Sequence, residues 1–211
     1  MKRDSMKDNS AEEPGPKTRR MIQKDERNEA ILAAALDLFI RRGYAGTRIA
    51  DIAGAVGMSV GLLFHYYPSK EKLYEELVRI GIAGVESVWK LDTSDVTAFF
   101  LKCAPHIFAE IKKHVFVAKM FVFMAQAERT EALPESAMEL MKKVSAVSDS
   151  VPLIKRGQAE GIFRPGDPVA LSLAFWCCIQ GIAEEIAIHP ELACPEPEWV
   201  LGLLLKQGER T

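Results

Sequence analysis

Thr47, Arg48, Ser59, His65, Tyr66 and Lys70 bring hydroxyls, an imidazole and two cations into one stretch that carries few acids. Such groups suit hydrogen bonding and charge pairing with an anionic partner. Gly61 adds a position where a backbone can be approached closely. The run Gly57-Met58-Ser59-Val60-Gly61 also matches the G-x-S-x-G nucleophile elbow of serine hydrolases. That motif needs a strand before the serine and a parallel sheet around it. Helical periodicity precedes Ser59 and no strand pattern is found, so no catalytic residue is assigned and the chain is read as not an enzyme. No G-x-x-x-x-G-K-[ST] loop occurs. The histidines (His65, His106, His114, His189) and cysteines (Cys103, Cys177, Cys178, Cys194) show no ligand spacing. No metal and no cofactor are therefore expected, and the cysteines read as reduced thiols of a cytoplasmic protein.

The elements that must position these groups follow from spacing. Ile49, Ile52, Ala53 and Val56 fall at i, i+3, i+4, i+7, one face of a helix. Gly57 suits the left-handed turn that ends it. Ser59 is placed to cap a second helix, in which Val60, Leu63, Phe64 and Tyr67 repeat the same spacing and form its expected inner face. Ser59, Gly61, Leu62, His65 and Tyr66 then face outward. Pro68 stops this helix, and Ser69 caps the next at Lys70. A lysine there opposes the helix dipole unless an anion sits nearby. Two short amphipathic helices around a glycine turn make a helix-turn-helix.

The run GYAGTRIADIAGAVGMSVGLLFHYYPSKEKLYEEL resembles the DNA-binding region of the tetracycline-repressor (TetR) family of bacterial regulators. The resemblance rests on the Gly-aromatic pair before the threonine, I-A-x-x-x-G, S-x-G-x-L-aromatic and Y-[YF]-x-S-K-E-x-L. It covers about Asp25 to Leu77. Many members carry a basic or hydroxyl residue where this chain has Val60 and Leu62.

The rest of the chain reads as helix throughout. With 48% hydrophobic and 27% charged residues, composition is that of a globular protein. The longest uninterrupted apolar run, Leu173 to Ile179, is far short of a membrane span, so no membrane partner is expected. Net charge is −2, but residues 17–72 carry ten Lys/Arg against six Asp/Glu, leaving −6 elsewhere. That asymmetry fits a DNA-facing module on an acidic body. A first helix is expected from about Asp25 to Arg42 and a fourth from Lys70 towards Trp89. Two apolar helices should follow, broken near His114. A further one should begin at Pro134, with an interruption at Pro152. The segment Val169–Ile188 reads as a helix capped by Asp167, and Trp199, Val200, Leu203 and Leu204 give a last one. The expectation is an all-α fold of about nine helices: residues 1–20 a disordered tail, 21–70 a helix-turn-helix domain, and 71–211 a helical ligand-binding and dimerisation domain. Lys17, Arg19 and Arg20 are candidates for a basic arm reaching DNA.

The resemblance implies a homodimeric, ligand-responsive repressor on a near-palindromic operator in double-stranded DNA. Thr47, Ser59, Tyr66 and Lys70 are then assigned to phosphates, and Gly61 to close approach. His65 goes to a base edge or phosphate, Val60 and Leu62 to thymine methyls, and Arg48 to guanine or a phosphate. It also implies a pocket in the C-terminal helices for an apolar effector. Trp89, Phe100, Cys103, Phe121, Met124, Trp176 and Gln180 are its candidate lining. Val169–Ile188 and the last helix are expected at the dimer interface. A helical carrier without a DNA role, and a DNA-binding regulator with no inducer, are the alternatives.

Overall fold

Residues 19–130 and 133–206 are described by the computed structural model, and their regular structure is all α-helix apart from one isolated bridge between Phe163 and Leu205. Ten helical segments follow in order: α1 (Arg19–Gly46), α2 (Ile49–Ala55), α3 (Val60–Tyr66), α4 (Lys70–Trp89), α5 (Val96–Lys113), α6 (Val115–Glu128), α7 (Glu135–Met141), α8 (Ala146–Ala159), α9 (Pro168–Ile188) and α10 (Pro197–Leu201). The expected caps form: Ser59 Oγ accepts from Leu62 N at 3.2 Å, Ser69 Oγ from Lys72 N at 3.2 Å, and Asp167 Oδ1 from Val169 N at 2.8 Å. Gly43 (φ 68°) and Gly57 (φ 64°) occupy the left-handed region. Gly43 thereby ends the continuous part of α1 at Arg42, and one further turn leads to Thr47.

Two boundaries differ from expectation. Helix α1 begins at Arg19, so Arg19 and Arg20 form its exposed first turn rather than the end of a loose tail. Lys17 and the rest of the expected tail lie outside the described residues. The break after Pro134 falls at residues 142–145, where Ser145 caps α8, while Pro152 sits inside α8. Its side is exposed, so the carbonyl left without a donor by the missing N–H can be hydrated.

Helix α9 also corrects the membrane reading. Over 18 residues its mean hydropathy is 1.5, so it is long and apolar enough to cross a membrane by composition. Counting uninterrupted residues missed this, because Ser172, Gln180 and Gly181 break the run without lowering the average much. In the fold α9 lies along α6 and α8. Ser150 and Ser172 are joined at 2.6 Å, and Trp176 Nε1 donates to Ser150 Oγ at 3.0 Å. One stripe of α9 stays open: Val169, Leu173, Cys177, Gly181 and Ile188 are exposed.

Burial divides the apolar residues into two clusters. One joins α5, α8, α9 and α10 around Phe99, Phe100, Phe175 and Ile179. The other joins α1 to α4 but also takes Met120, Phe123 and Ala127 from α6 and Ala137 from α7. Packing therefore does not stop at residue 70. Phe123 of α6 lies 4.9 Å from the Tyr74 ring and 6.5 Å from Phe39, and Lys119 pairs with Asp37 of α1 at 2.7 Å.

Candidate nucleic-acid interface

Helix α3 meets α2 at 97°, within the range of helix-turn-helix units. At seven residues it is too short to be stable alone, so its contacts define it. Leu63 is fully buried and Tyr67 nearly so, and Tyr67 Oη donates to Asn28 Oδ1 of α1 at 2.8 Å. Those two residues are the inner face. Val60 (38% exposed) and Phe64 (44%) do not join it, contrary to the spacing argument. A rod this short, crossing its neighbour nearly at right angles, touches it along little more than one turn. Ser59, Gly61, Leu62 and His65 are exposed, whereas Tyr66 is half-buried against the α1–α4 cluster. The open face thus presents Ser59, Val60, Gly61, Leu62, Phe64 and His65. Phe64 is the residue missed in sequence. The signal for it was the brevity of the helix between Ser59 and Pro68.

Two residues assigned to phosphates turn inward. Thr47 is 1% exposed, and its Oγ1 donates to Gly43 O at 2.8 Å and Leu38 O at 3.2 Å. A hydroxyl so placed cannot reach a phosphate, and Thr47 is withdrawn from the contact set. The N-cap residue of α2 is Arg48, with its N–H on Asp51 Oδ2 at 3.3 Å. Asp51 also holds Arg42 Nη1 at 3.0 Å. Lys70 Nζ donates to Tyr44 O at 2.8 Å and Thr47 O at 3.0 Å, and lies 4.1 Å from the Tyr44 ring centroid. Arg48 is exposed beside the helix pair.

The seven candidate lining residues do not form one wall. Phe100 and Cys103 are fully buried; Phe100 meets Phe99, Phe163 and Phe175 edge-on at 5.1–5.5 Å. Burial pushes the Cys103 thiol up to about 12, so it stays protonated. Met124 belongs to the other cluster and lies against Gly81 of α4, where a Cβ would come within 2.5 Å of its sulfur. Phe100, Cys103 and Met124 therefore read as core. Trp89, Phe121, Trp176 and Gln180 are half-buried around the α9 side of the body. Trp89 stacks on Phe99 at 5.5 Å and lies 6.3 Å from Trp176. Gln180 Nε2 donates to Phe121 O at 3.0 Å and Glu184 Oε1 at 2.7 Å. The Trp89 indole N–H is buried with no acceptor. A cleft of about 370 Å³ opens elsewhere, between Gln158, Phe163, Gly166 and Lys206. Among the described residues no His, Cys, Asp and Glu cluster is arranged to hold a metal ion.

Comparison with known proteins agrees with this geometry. Residues 31–77 match the family model described as bacterial regulatory proteins, tetR family. The chain is 29% identical over 188 residues to the HTH-type transcriptional regulator RutR of Escherichia coli K12, covering 85% of this chain and 81% of that protein. It is 26% identical over 157 residues to the HTH-type transcriptional repressor KstR2 of Mycolicibacterium smegmatis, covering 72% and 75%. The fold is similar to AibR, solved in complex with isovaleryl coenzyme A and operator DNA, with a TM-score of 0.58 at 20% identity over 83% of this chain and 94% of that one. These relatives are regulators rather than enzymes, and Ser59 serves here as a helix cap, preceded by a helix and not a strand. Residues 31–77 thus match the DNA-binding region of bacterial tetR-family regulatory proteins, and over most of its length the chain is similar in sequence to HTH-type transcriptional regulators and in fold to a regulator solved with operator DNA.

Proposed function

We propose that the protein is a cytoplasmic, homodimeric repressor that lays α3 into the major groove of a near-palindromic operator and is released by a small, largely apolar effector. The observation that carries the DNA reading is the open face of α3: six consecutive-turn residues from Ser59 to His65 without a core partner, on a rod fixed at both ends. Val60, Leu62 and Phe64 suit thymine methyls, so half-sites containing A·T pairs are expected. Ser59, Tyr66 and Arg48 suit phosphates, and His65 a base edge or phosphate. Two-fold symmetry places the half-sites about 34 Å apart or somewhat more.

The open stripe of α9 supports the dimer. Leu173 is 50% exposed and Ile188 67% exposed on a helix whose other sides are packed, and a second copy related by a two-fold axis would cover them. Helix α8 lies along α9, whereas α10 is five residues long and packs chiefly on α5. The interface therefore centres on α9 with α8 at its flank, not on the last helix. The buried, unpaired indole N–H of Trp89 supports an effector that carries a hydrogen-bond acceptor. A molecule favouring the dimer whose two α3 rods are wrongly spaced lowers operator affinity by that difference, and a hundredfold drop needs only about 2.8 kcal/mol.

Binding-site selection from a random duplex pool tests the DNA reading. A two-fold symmetric consensus with A·T-containing half-sites is expected. Recovery of no enriched sequence, with only non-specific binding at low salt, would remove it and favour the carrier alternative.

A further inference from the structure

The open face of α3 lacks the side chains that read base edges by paired hydrogen bonds. Guanine is matched by Arg or Lys across O6 and N7, and adenine by Asn or Gln across N6 and N7. Ser59, Val60, Gly61, Leu62, Phe64 and His65 include none of these. The Ser59 oxygen already accepts from Leu62 N at 3.2 Å, and His65 offers one ring edge. The rest of the face is apolar: Val60 and Leu62 are each 38% exposed and Phe64 is 44% exposed. Val60 and Phe64 stand one turn apart on one flank of Gly61, and Leu62 stands on the other. Gly61 is not in the left-handed region, and a Cβ there would meet nothing within 4 Å. Neither backbone conformation nor space within the chain asks for glycine, and alanine suits a helix better. What the bare position supplies is close approach of the α3 backbone to a partner, close enough for short apolar side chains to touch the floor of a groove. The apolar group on that floor is the methyl at C5 of a pyrimidine.

We infer that α3 reads the C5 methyl itself and therefore accepts 5-methylcytosine in place of thymine where Val60, Leu62 or Phe64 touches the base. A site with cytosine at such a position gains affinity when that cytosine is methylated. The inference rests on the DNA reading above and names the chemical group on which that reading turns. Thymine and 5-methylcytosine share the methyl and differ at C4, where one carries a carbonyl oxygen and the other an amino group. A side chain that hydrogen-bonds at C4 separates the two, and Val60, Leu62 and Phe64 have no such group.

The test uses the full-length protein and the operator recovered by selection. Each symmetry-related pair of thymines is replaced in turn by deoxyuridine, which pairs identically and lacks only the methyl. At one position or more, affinity should fall about fourfold per methyl, or about fifteenfold for both half-sites together. At that position a cytosine·guanine pair should bind weakly, and its 5-methylcytosine counterpart should regain about the same factor. One of Val60→Ala, Leu62→Ala and Phe64→Ala should bind the thymine and deoxyuridine duplexes within about twofold of each other. The DNA substitutions leave the protein untouched, and circular dichroism follows the fold of the three variants. Deoxyuridine duplexes that all bind like the original operator would overturn the inference. So would 5-methylcytosine that binds no better than cytosine. A deoxyuridine loss undiminished in all three variants would place the methyl effect in duplex shape and overturn it too. Failure of the original protein to enrich any sequence would count against the DNA reading itself.

Discussion

Phe64 holds an aromatic ring in water on a helix that has few other large side chains to offer, and that placement has a measurable consequence. Being 44% exposed, the residue is covered over little more than half its surface, so Phe64→Ala should cost no more than about 1.5 kcal/mol of stability. The same variant should lower operator affinity about tenfold and alter the preferred bases, read by melting and by repeated binding-site selection. An unchanged consensus would mean that the ring faces the sugar–phosphate edge or solvent. The identity of α3 and its caps was legible because Gly57, Ser59, Pro68 and Ser69 mark its ends by local backbone chemistry. Which side chains it buries was not, since periodicity gives a face but not how much of that face a short, steeply crossed neighbour covers. Thr47 was misassigned for a related reason: a hydroxyl has the same appearance in sequence whether it meets a phosphate or, as here, a backbone carbonyl.

Helix α4 joins the two halves of the chain, and a buried acid fastens it. The Glu75 side chain is 3% exposed, yet it is paired with Lys72 at 2.9 Å, lies 3.7 Å from Arg79 and accepts a hydrogen bond from the Ser136 hydroxyl of α7. The Ser136 hydroxyl first, and then Lys72, hold its carboxyl below the ordinary range. A carboxyl lowered in the folded state stabilises the fold above its unfolded value of about 4.3, and the stabilisation is lost as pH falls through the folded value. Glu75→Gln should therefore melt earlier than the original protein at pH 7, by a deficit of about 1–3 kcal/mol. Thermal melts should bring the two together once the pH is well below 4. A deficit that persists in acid would mean that shape, not charge, is what Glu75 supplies. At this scale most helices were readable from spacing and caps, including the break at His114 between α5 and α6. The break at 142–145 was not, because Lys142, Lys143 and Val144 contain no helix breaker and only Ser145 signals a new start. Pro152, the louder signal, is tolerated on an exposed side of α8.

As a whole molecule, the chain leaves the middle of its most apolar helix uncovered along Leu173, Cys177 and Gly181. Light scattering should give about twice the 23.4 kDa chain mass. Leu173→Glu should reduce it to one chain by placing charge on the contact, and should cost operator affinity with it; an unaltered mass would move the interface elsewhere. The all-α plan was visible from the absence of alternating patterns, but the way the cores divide was not. No local spacing tells that Phe123 and Met120 of α6 finish the hydrophobic cluster begun by Phe39, Leu36 and Tyr74. That sharing limits how such a protein can be recombined. A chimera that keeps residues up to the end of α4 and borrows a foreign sensor would strip Phe39 and Tyr74 of their cover and cut the Lys119–Asp37 tie. A workable graft would have to carry the inner face of α6 along with the DNA-reading head.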